Sequence, residues 1–181
     1  MRKKALVWVL AGAGVVLAGS QLVPVDTTNP PAEGAMALPA GEAGELLRAA
    51  CMDCHSHETV WPWYAHVTPV KFLVASHVKE GRKGLNLSTW GQRTPDRQAR
   101  KLEEIAEMVQ EGEMPEGTYT WMHPAARLTE AQRQVIVAWA QAERARLQAS
   151  GGVTPGDVGE GSERGGEEGG EHGESGERGQ R

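Results

Sequence analysis

The sequence is poor in cysteine: its 181 residues contain two, Cys51 and Cys54. Because no second cysteine pair remains, a four-cysteine zinc site is excluded. No βαβ pattern surrounds the two thiols, as a thioredoxin-like redox pair would require. The sequence also lacks internal repeats, a catalytic triad, a paired-carboxylate site and a phosphate-binding glycine loop. These absences argue against a hydrolase or a kinase.

Charge is distributed unevenly along the chain, whose formal net charge is −5. Residues 151–181 hold eight acidic and three basic side chains, whereas acidic and basic groups balance over residues 1–150. The low pI is therefore a property of the C-terminal tail, and it says nothing about a nucleic-acid or substrate surface on the domain. We expect no nucleic-acid partner.

Both cysteines lie in one pentad, Cys51-Met52-Asp53-Cys54-His55. Two thiols at this spacing can meet the two vinyl groups of one porphyrin while the adjacent imidazole reaches the iron. The pattern predicts one covalently attached haem c, with His55 as the proximal iron ligand. The structural alternative is an ordinary disulfide, or two free thiols beside a chance histidine.

The N-terminus is typical of an export signal, because Arg2, Lys3 and Lys4 precede an apolar run over residues 5–18. A small-residue cleavage site at Ser20 would favour removal, whereas the wider apolar stretch reaches the length of a membrane span. We favour an uncleaved anchor with the basic residues inside. The domain is then expected in the periplasm or on the extracytoplasmic face of the inner membrane.

Composition divides the chain into four segments. Residues 1–23 form the signal peptide or membrane anchor, and residues 24–40 form an extended proline-rich linker that would hold the domain off the membrane. Residues 41–148 form the haem-binding domain. Residues 149–181 are rich in glycine and glutamate without apolar periodicity, which predicts a disordered tail.

Helical periodicity throughout the middle of the chain predicts an all-α domain around the haem. Thr94 and Pro95 mark one helix start, Gly112 marks its end, and a capping box at Thr129 and Gln132 opens the last helix. The domain helices are expected over residues 42–51, 69–83, 95–111 and 129–147.

The iron needs a sixth ligand, and we favour Met114. It lies in a loop after a helix, and the following Pro115 would fix its backbone. A thioether ligand stabilises ferrous iron and raises the reduction potential, which suits an electron carrier. His77 and His123 are the alternatives, and an open sixth position is a further one.

Three other side chains are candidates for haem contact. Trp61 and Trp63 follow the pentad and would pack against the porphyrin or belong to the ordinary core. Arg82 would pair with a haem propionate or stay solvated on the surface.

These residues together resemble a known family, the bacterial haem-binding domain family of short, c-type cytochrome-like proteins. The resemblance covers about residues 20–145 and implies an exported, often membrane-anchored, single-haem, mostly helical domain related to cytochrome c, without an assigned reaction. His57 and Leu87 depart from its pattern of asparagine and phenylalanine. The residues that carry it are Cys51-x-Asp53-Cys54-His55-Ser56, Trp61-Pro62-Trp63-Tyr64, His77-Val78-x-x-Gly81-Arg82, Gly112-Glu113-Met114-Pro115 and His123-Pro124.

The sequence thus predicts an extracytoplasmic single-electron carrier with no substrate of its own, which exchanges electrons with an unidentified redox partner protein. An alternative is a haem-based sensor or a peroxidase-like enzyme with an open or displaceable sixth iron position. A third is a haem-bearing module of a larger oxidase or dehydrogenase complex.

Overall fold

The computed structural model describes residues 2–152, and within them every regular element is helical, so the all-α prediction is confirmed. Short 3₁₀-helices occupy Trp63–His66, Leu87–Gln92 and Pro124–Ala126, and a π-helical turn occupies Gln148–Gly152. Most of the predicted disordered tail, residues 153–181, lies outside the described residues. The α-helices are α1 (Arg2–Gln21), α2 (Glu42–Ala50), α3 (Met52–His55), α4 (Val70–Gly84), α5 (Pro95–Glu111), α6 (Gly117–Met122) and α7 (Glu130–Leu147).

The core of the domain forms where α5 packs along α7 and α2 packs across α7. In each helix the buried side chains recur every three or four residues, so one stripe faces the core. The principal core residues are Leu46 and Leu47 of α2, Ala99, Leu102, Ala106 and Val109 of α5, and Ile136, Val137 and Ala140 of α7.

The helix ends follow the local chemistry of the sequence. At the start of α7, Thr129 Oγ1 accepts a hydrogen bond from the Gln132 amide, and Gln132 Oε1 accepts one from the Thr129 amide, which is the predicted capping box. Thr94 occupies the cap position of α5 without a side-chain hydrogen bond. Gly112 ends α5 at a φ of 78°, a left-handed conformation that glycine adopts without strain.

The linker, residues 24–40, is extended but lies along the domain instead of running free. The Met36 amide donates to the Leu87 carbonyl (2.8 Å), and the Gly91 amide donates to the Gly34 carbonyl (2.7 Å). These backbone groups pair part of the linker with the domain. The expectation that the linker holds the domain off the membrane stays a prediction.

Helix α1 is exposed along its length. Among the described helices it is the one that is long and apolar enough to cross a membrane, a test that a signal sequence also passes.

Replacing Leu102 tests the core between α5 and α7. The side chain is fully buried, so we expect Leu102→Ala to lower the free energy of unfolding by about 2–5 kcal/mol. Exposed Glu107→Gln on the same helix serves as the control and should change it by less than about 0.5 kcal/mol. Urea unfolding measures both, and equal effects would contradict this packing.

Candidate haem site

A cavity of about 760 Å³ lies within the domain, walled by residues of α2 to α7 and the loops between them. Ligand-binding cavities typically enclose roughly 300–1,000 Å³. Its wall is mostly apolar, so it suits a large apolar cofactor. Apolar side chains that contribute to the wall include Leu47, Val70, Leu73, Val74, Ile105 and Val109.

The pentad supplies one part of this wall. Helix α2 ends at Ala50, the backbone kinks at Cys51, and the single turn of α3 carries Cys54 and His55. Both thiols are free, and both line the cavity together with the His55 imidazole. The three groups that the pentad predicts for haem attachment therefore face one space.

Backbone carbonyls fix the orientation of the His55 ring. Its Nδ1 lies 2.9 Å from the Gly81 carbonyl oxygen and 3.1 Å from that of Leu85. Because carbonyls only accept, Nδ1 carries the proton and donates it. Nε2 has no hydrogen-bond partner within residues 2–152 and is left with its lone pair, as a metal-binding imidazole requires.

Gly81 lets α4 approach the pentad at backbone distance. A Cβ at this position would lie 2.6 Å from the Cys54 carbonyl oxygen, closer than a side chain tolerates. The absence of a side chain thus permits the contact through which the Gly81 carbonyl reaches His55.

The two thiols are weakly reactive, because the pKa of each is raised. Burial, together with the neighbouring Cys54, raises the pKa of Cys51 to about 12. Burial, followed by the charges of Asp53 and Glu116, raises the pKa of Cys54 to about 11. A redox-active pair needs a lowered thiol pKa, so this site does not resemble one.

The three candidates for the sixth ligand also line the cavity. Met114 is held by its backbone, because its amide donates to the Met108 carbonyl at the end of α5 (3.1 Å), immediately after the turn at Gly112. His77 Nδ1 lies 3.4 Å from a carboxylate oxygen of Glu116.

Among the three candidates, His123 is the one whose two ring nitrogens are both in hydrogen-bond contact. Its Nδ1 lies 3.0 Å from the Tyr119 carbonyl oxygen, and its Nε2 lies 3.4 Å from the Tyr64 hydroxyl. A ligand would have to give up one of these contacts. The thioether of Met114 faces no such competition, because sulfur is at most a weak acceptor.

Comparison with known proteins identifies a haem-binding domain. The model of the haem-binding domain family matches residues 15–142. The chain belongs to the haem-binding domain family. It is 29% identical over 115 residues to the cytochrome c peroxidase Ccp of Escherichia coli strain K12, a match that covers 62% of this chain and 25% of the peroxidase. The chain therefore matches about a quarter of that relative's length. No solved structure shows a significant match.

The residues of this haem-binding domain fit the cofactor. Two thiols, an imidazole with a free Nε2 and a thioether line one apolar cavity, and these are the groups that attach and ligate a haem. Within residues 2–152, no three His, Cys, Asp or Glu side chains converge on a point where they would hold a metal ion by themselves.

The two tryptophans of the haem-binding domain have different positions. Trp63 lines the cavity and remains exposed, whereas Trp61 does not contribute to the wall. The indole Nε1 of Trp61 is buried and has no hydrogen-bond partner among the residues that the structure describes. We find no structural reason for this unpaired donor.

Arg82 lies away from the cavity wall and joins the linker to the pentad loop. Its Nε donates to the Ser56 carbonyl (2.8 Å) and its Nη1 to the Thr28 carbonyl (2.9 Å). Its Nη2 donates to Asn29 Oδ1 (2.8 Å) and Thr59 Oγ1 (2.9 Å). Because the guanidinium is engaged on both edges, Arg82 cross-links the linker to the pentad loop, and its pairing with a haem propionate stays a prediction.

A contact between Asp53 and Tyr119 was not foreseen from the sequence. The Tyr119 hydroxyl donates to Asp53 Oδ2 (2.8 Å), and the Val60 amide donates to Oδ1 (3.0 Å). Burial and then Asp53 raise the pKa of Tyr119 well above its ordinary value, so the phenol stays a donor. Its ring stacks on His123 at 4.0 Å between centroids. In the sequence, the feature that could have indicated this contact was the acidic residue between the two cysteines.

Two glycines of α4 provide a matched test of the close helix contact. Gly81→Ala should lower the free energy of unfolding and the yield of haem-loaded protein, because the new Cβ pushes α4 from the pentad and weakens the His55 hydrogen bond. Gly84→Ala meets open space and should be neutral or stabilising by up to about 1 kcal/mol. Equal behaviour of the two variants in urea unfolding and haem incorporation would contradict the packing.

The raised pKa values of the two half-buried thiols predict a pH dependence of the haem-free protein. Each thiol loses its proton more readily when unfolded, so the free energy of unfolding should fall as pH rises from about 9 toward 12. In Cys51→Ala/Cys54→Ala the fall should be smaller, with Tyr119 and Tyr64 contributing to what remains. Urea unfolding at pH 7 to 11 measures this; identical curves would contradict the raised thiol pKa values.

Proposed function

We propose that this haem protein is an extracytoplasmic single-electron carrier, with haem c attached through Cys51 and Cys54 and iron ligated by His55 and Met114. One observation carries the proposal: a single apolar cavity presents both thiols, an imidazole with a free Nε2 and a thioether. Haem supplies one-electron ferric and ferrous chemistry when bound. The chain supplies the ligands and the environment.

The side chains around the cavity favour the ferrous state. The Met114 thioether is a soft ligand that raises the reduction potential. The hydrogen bond from His55 Nδ1 to the Gly81 carbonyl holds the ring and makes Nε2 a stronger electron donor, which by itself acts in the opposite direction and stabilises the ferric state. An apolar wall excludes water and disfavours the additional positive charge of the ferric centre.

The cavity reaches the surface, where a redox partner can approach. Trp63 and Trp121 both line the cavity and are 75% and 76% exposed.

We further propose that α1 remains attached as a membrane anchor. It is 20 residues long, and no residue of it is buried against the domain. Arg2, Lys3 and Lys4 precede its apolar run, which places that end in the cytoplasm and the haem domain on the opposite side.

A second candidate is a peroxidase-like enzyme or sensor with a displaceable sixth ligand. Two observations favour it: the likeness to a peroxidase, and the pairing of His77 with Glu116 at the cavity wall. A histidine beside a carboxylate is suited to proton transfer near the iron. Carbon monoxide distinguishes the two, because it binds iron only where the sixth position opens.

The two methionines of the cavity wall, Met114 and Met108, test the ligand assignment. The ferric wild-type protein, matured in a host competent for haem attachment, should show the weak near-infrared band of methionine ligation, and the ferrous protein should not bind carbon monoxide. Met114→Ala should abolish the band, bind carbon monoxide and lower the reduction potential, because the thioether is lost. Met108→Ala should retain all three wild-type properties.

Two other outcomes would contradict Met114 as the sixth iron ligand. A band that survives in Met114→Ala, with loss of low-spin character in His77→Ala or His123→Ala, would make a histidine the sixth ligand. A high-spin wild-type protein that binds carbon monoxide readily would support the enzyme or sensor.

A further inference from the structure

The C-terminal end of α1 is fastened to the haem domain by side-chain hydrogen bonds. Gln21 Nε2 donates to the His66 carbonyl (2.7 Å), and Gln21 Oε1 accepts from the Thr68 amide (2.9 Å). Lys71 Nζ donates to the carbonyls of Gln21 and Val23, at 2.7 Å each. Four hydrogen bonds thus join Gln21, at the end of α1, and Val23 to the segment before α4 and to Lys71 in its first turn.

Lys71 contributes a buried positive charge to this junction. The residue is 4% exposed, and a buried ammonium is unfavourable unless polar groups surround it. Its partners are carbonyls at the end of α1, where the helix dipole is negative and favours a cation. The domain therefore needs the end of α1 to satisfy one of its own buried charges.

Exposed apolar side chains surround the junction. Leu22 and Val23, which follow α1, are 85% and 49% exposed. Val67 is 46% exposed and stands between two residues that bind Gln21. The Phe72 ring is 36% exposed and lies 5.1 Å from Lys71 Nζ. We call these four residues, Leu22, Val23, Val67 and Phe72, the junction surface.

We propose that the junction surface rests in the interface of the lipid bilayer beside α1, so that the membrane holds the haem domain in one orientation. This rests on the proposed role of α1 as an uncleaved anchor. Leu22 and Val23 follow exposed α1 directly in the chain, and the hydrogen bonds of Gln21 bring the end of α1 to the residues that flank Val67. Lipid that covers α1 therefore meets Val67 and Phe72 at the boundary of head groups and acyl chains, where apolar side chains insert.

A rigid junction also gives the cavity a fixed direction. Val70 and Leu73 line the cavity and lie on α4 next to Lys71 and Phe72. A partner that docks at the cavity would then meet it at a defined height above the membrane, unlike a domain on a flexible tether.

Photocrosslinking to lipid tests the proposal. The full-length, haem-loaded protein is placed in nanodiscs of phosphatidylcholine and phosphatidylglycerol, with a fraction of the lipid carrying a diazirine in its acyl chain. After irradiation, peptide mass spectrometry should find lipid adducts on α1 and on residues 67–72. The peptides of α7 should carry several-fold fewer.

Two pairs of variants make the result specific. Val67→Asn/Phe72→Asn should lose adducts on residues 67–72 several-fold and keep those on α1, whereas Ala131→Asn/Ala138→Asn, at exposed positions of α7, should change neither. Lys71→Met should also lose adducts on residues 67–72, because it frees the end of α1. Lys79→Met, at an exposed position of α4, is its matched control.

Adducts on α1 with none on residues 67–72 of the wild type would overturn the proposal, because the domain would stand away from the bilayer. Absence of adducts on α1 would overturn it together with the anchor. In either case the absorption spectrum of the same sample still reports on the haem and on the proposed electron carrier, so the two failures are distinguishable.

Discussion

The hydrogen bond from His55 Nδ1 to the Gly81 carbonyl, 2.9 Å long, links the chemistry of the pentad to the packing of the domain. It exists because Gly81 has no side chain and α4 comes within backbone distance of Cys54. The same contact selects the tautomer of His55 that leaves Nε2 free for iron. The fold itself therefore orients the imidazole that we propose as the proximal ligand.

Other polar contacts also hold the pentad loop in place. Tyr119 donates to Asp53 on one side, and Arg82 ties the loop to the linker on the other. The cavity wall combines Tyr119 and Asp53 with apolar side chains, the two thiols and the candidate ligands. Hydrogen-bonded support of a ligand and a mostly apolar surrounding are two of the means by which a protein tunes a haem.

Local signals in the sequence were enough to predict much of the fold. The capping box at Thr129, the stop at Gly112 and the apolar stripes of the long helices predicted α4, α5 and α7 to within a residue or two. Helix α6 was missed because six residues are too short to show a period. The role of Arg82 was missed because its partners Thr28 and Asn29 are more than 50 residues away in sequence, and only tertiary contact brings them together.

The central claim is that one haem is fastened through both thiols, and the intact mass of the mature protein tests it most directly. The protein is exported from a host competent for haem attachment, extracted with acidified acetone to remove unattached haem, and weighed. The account predicts a coloured polypeptide heavier by one haem, and an uncoloured one without that mass for Cys51→Ala/Cys54→Ala. A mature wild-type chain that weighs only as much as its amino acids, with its colour lost to the acetone, would contradict it.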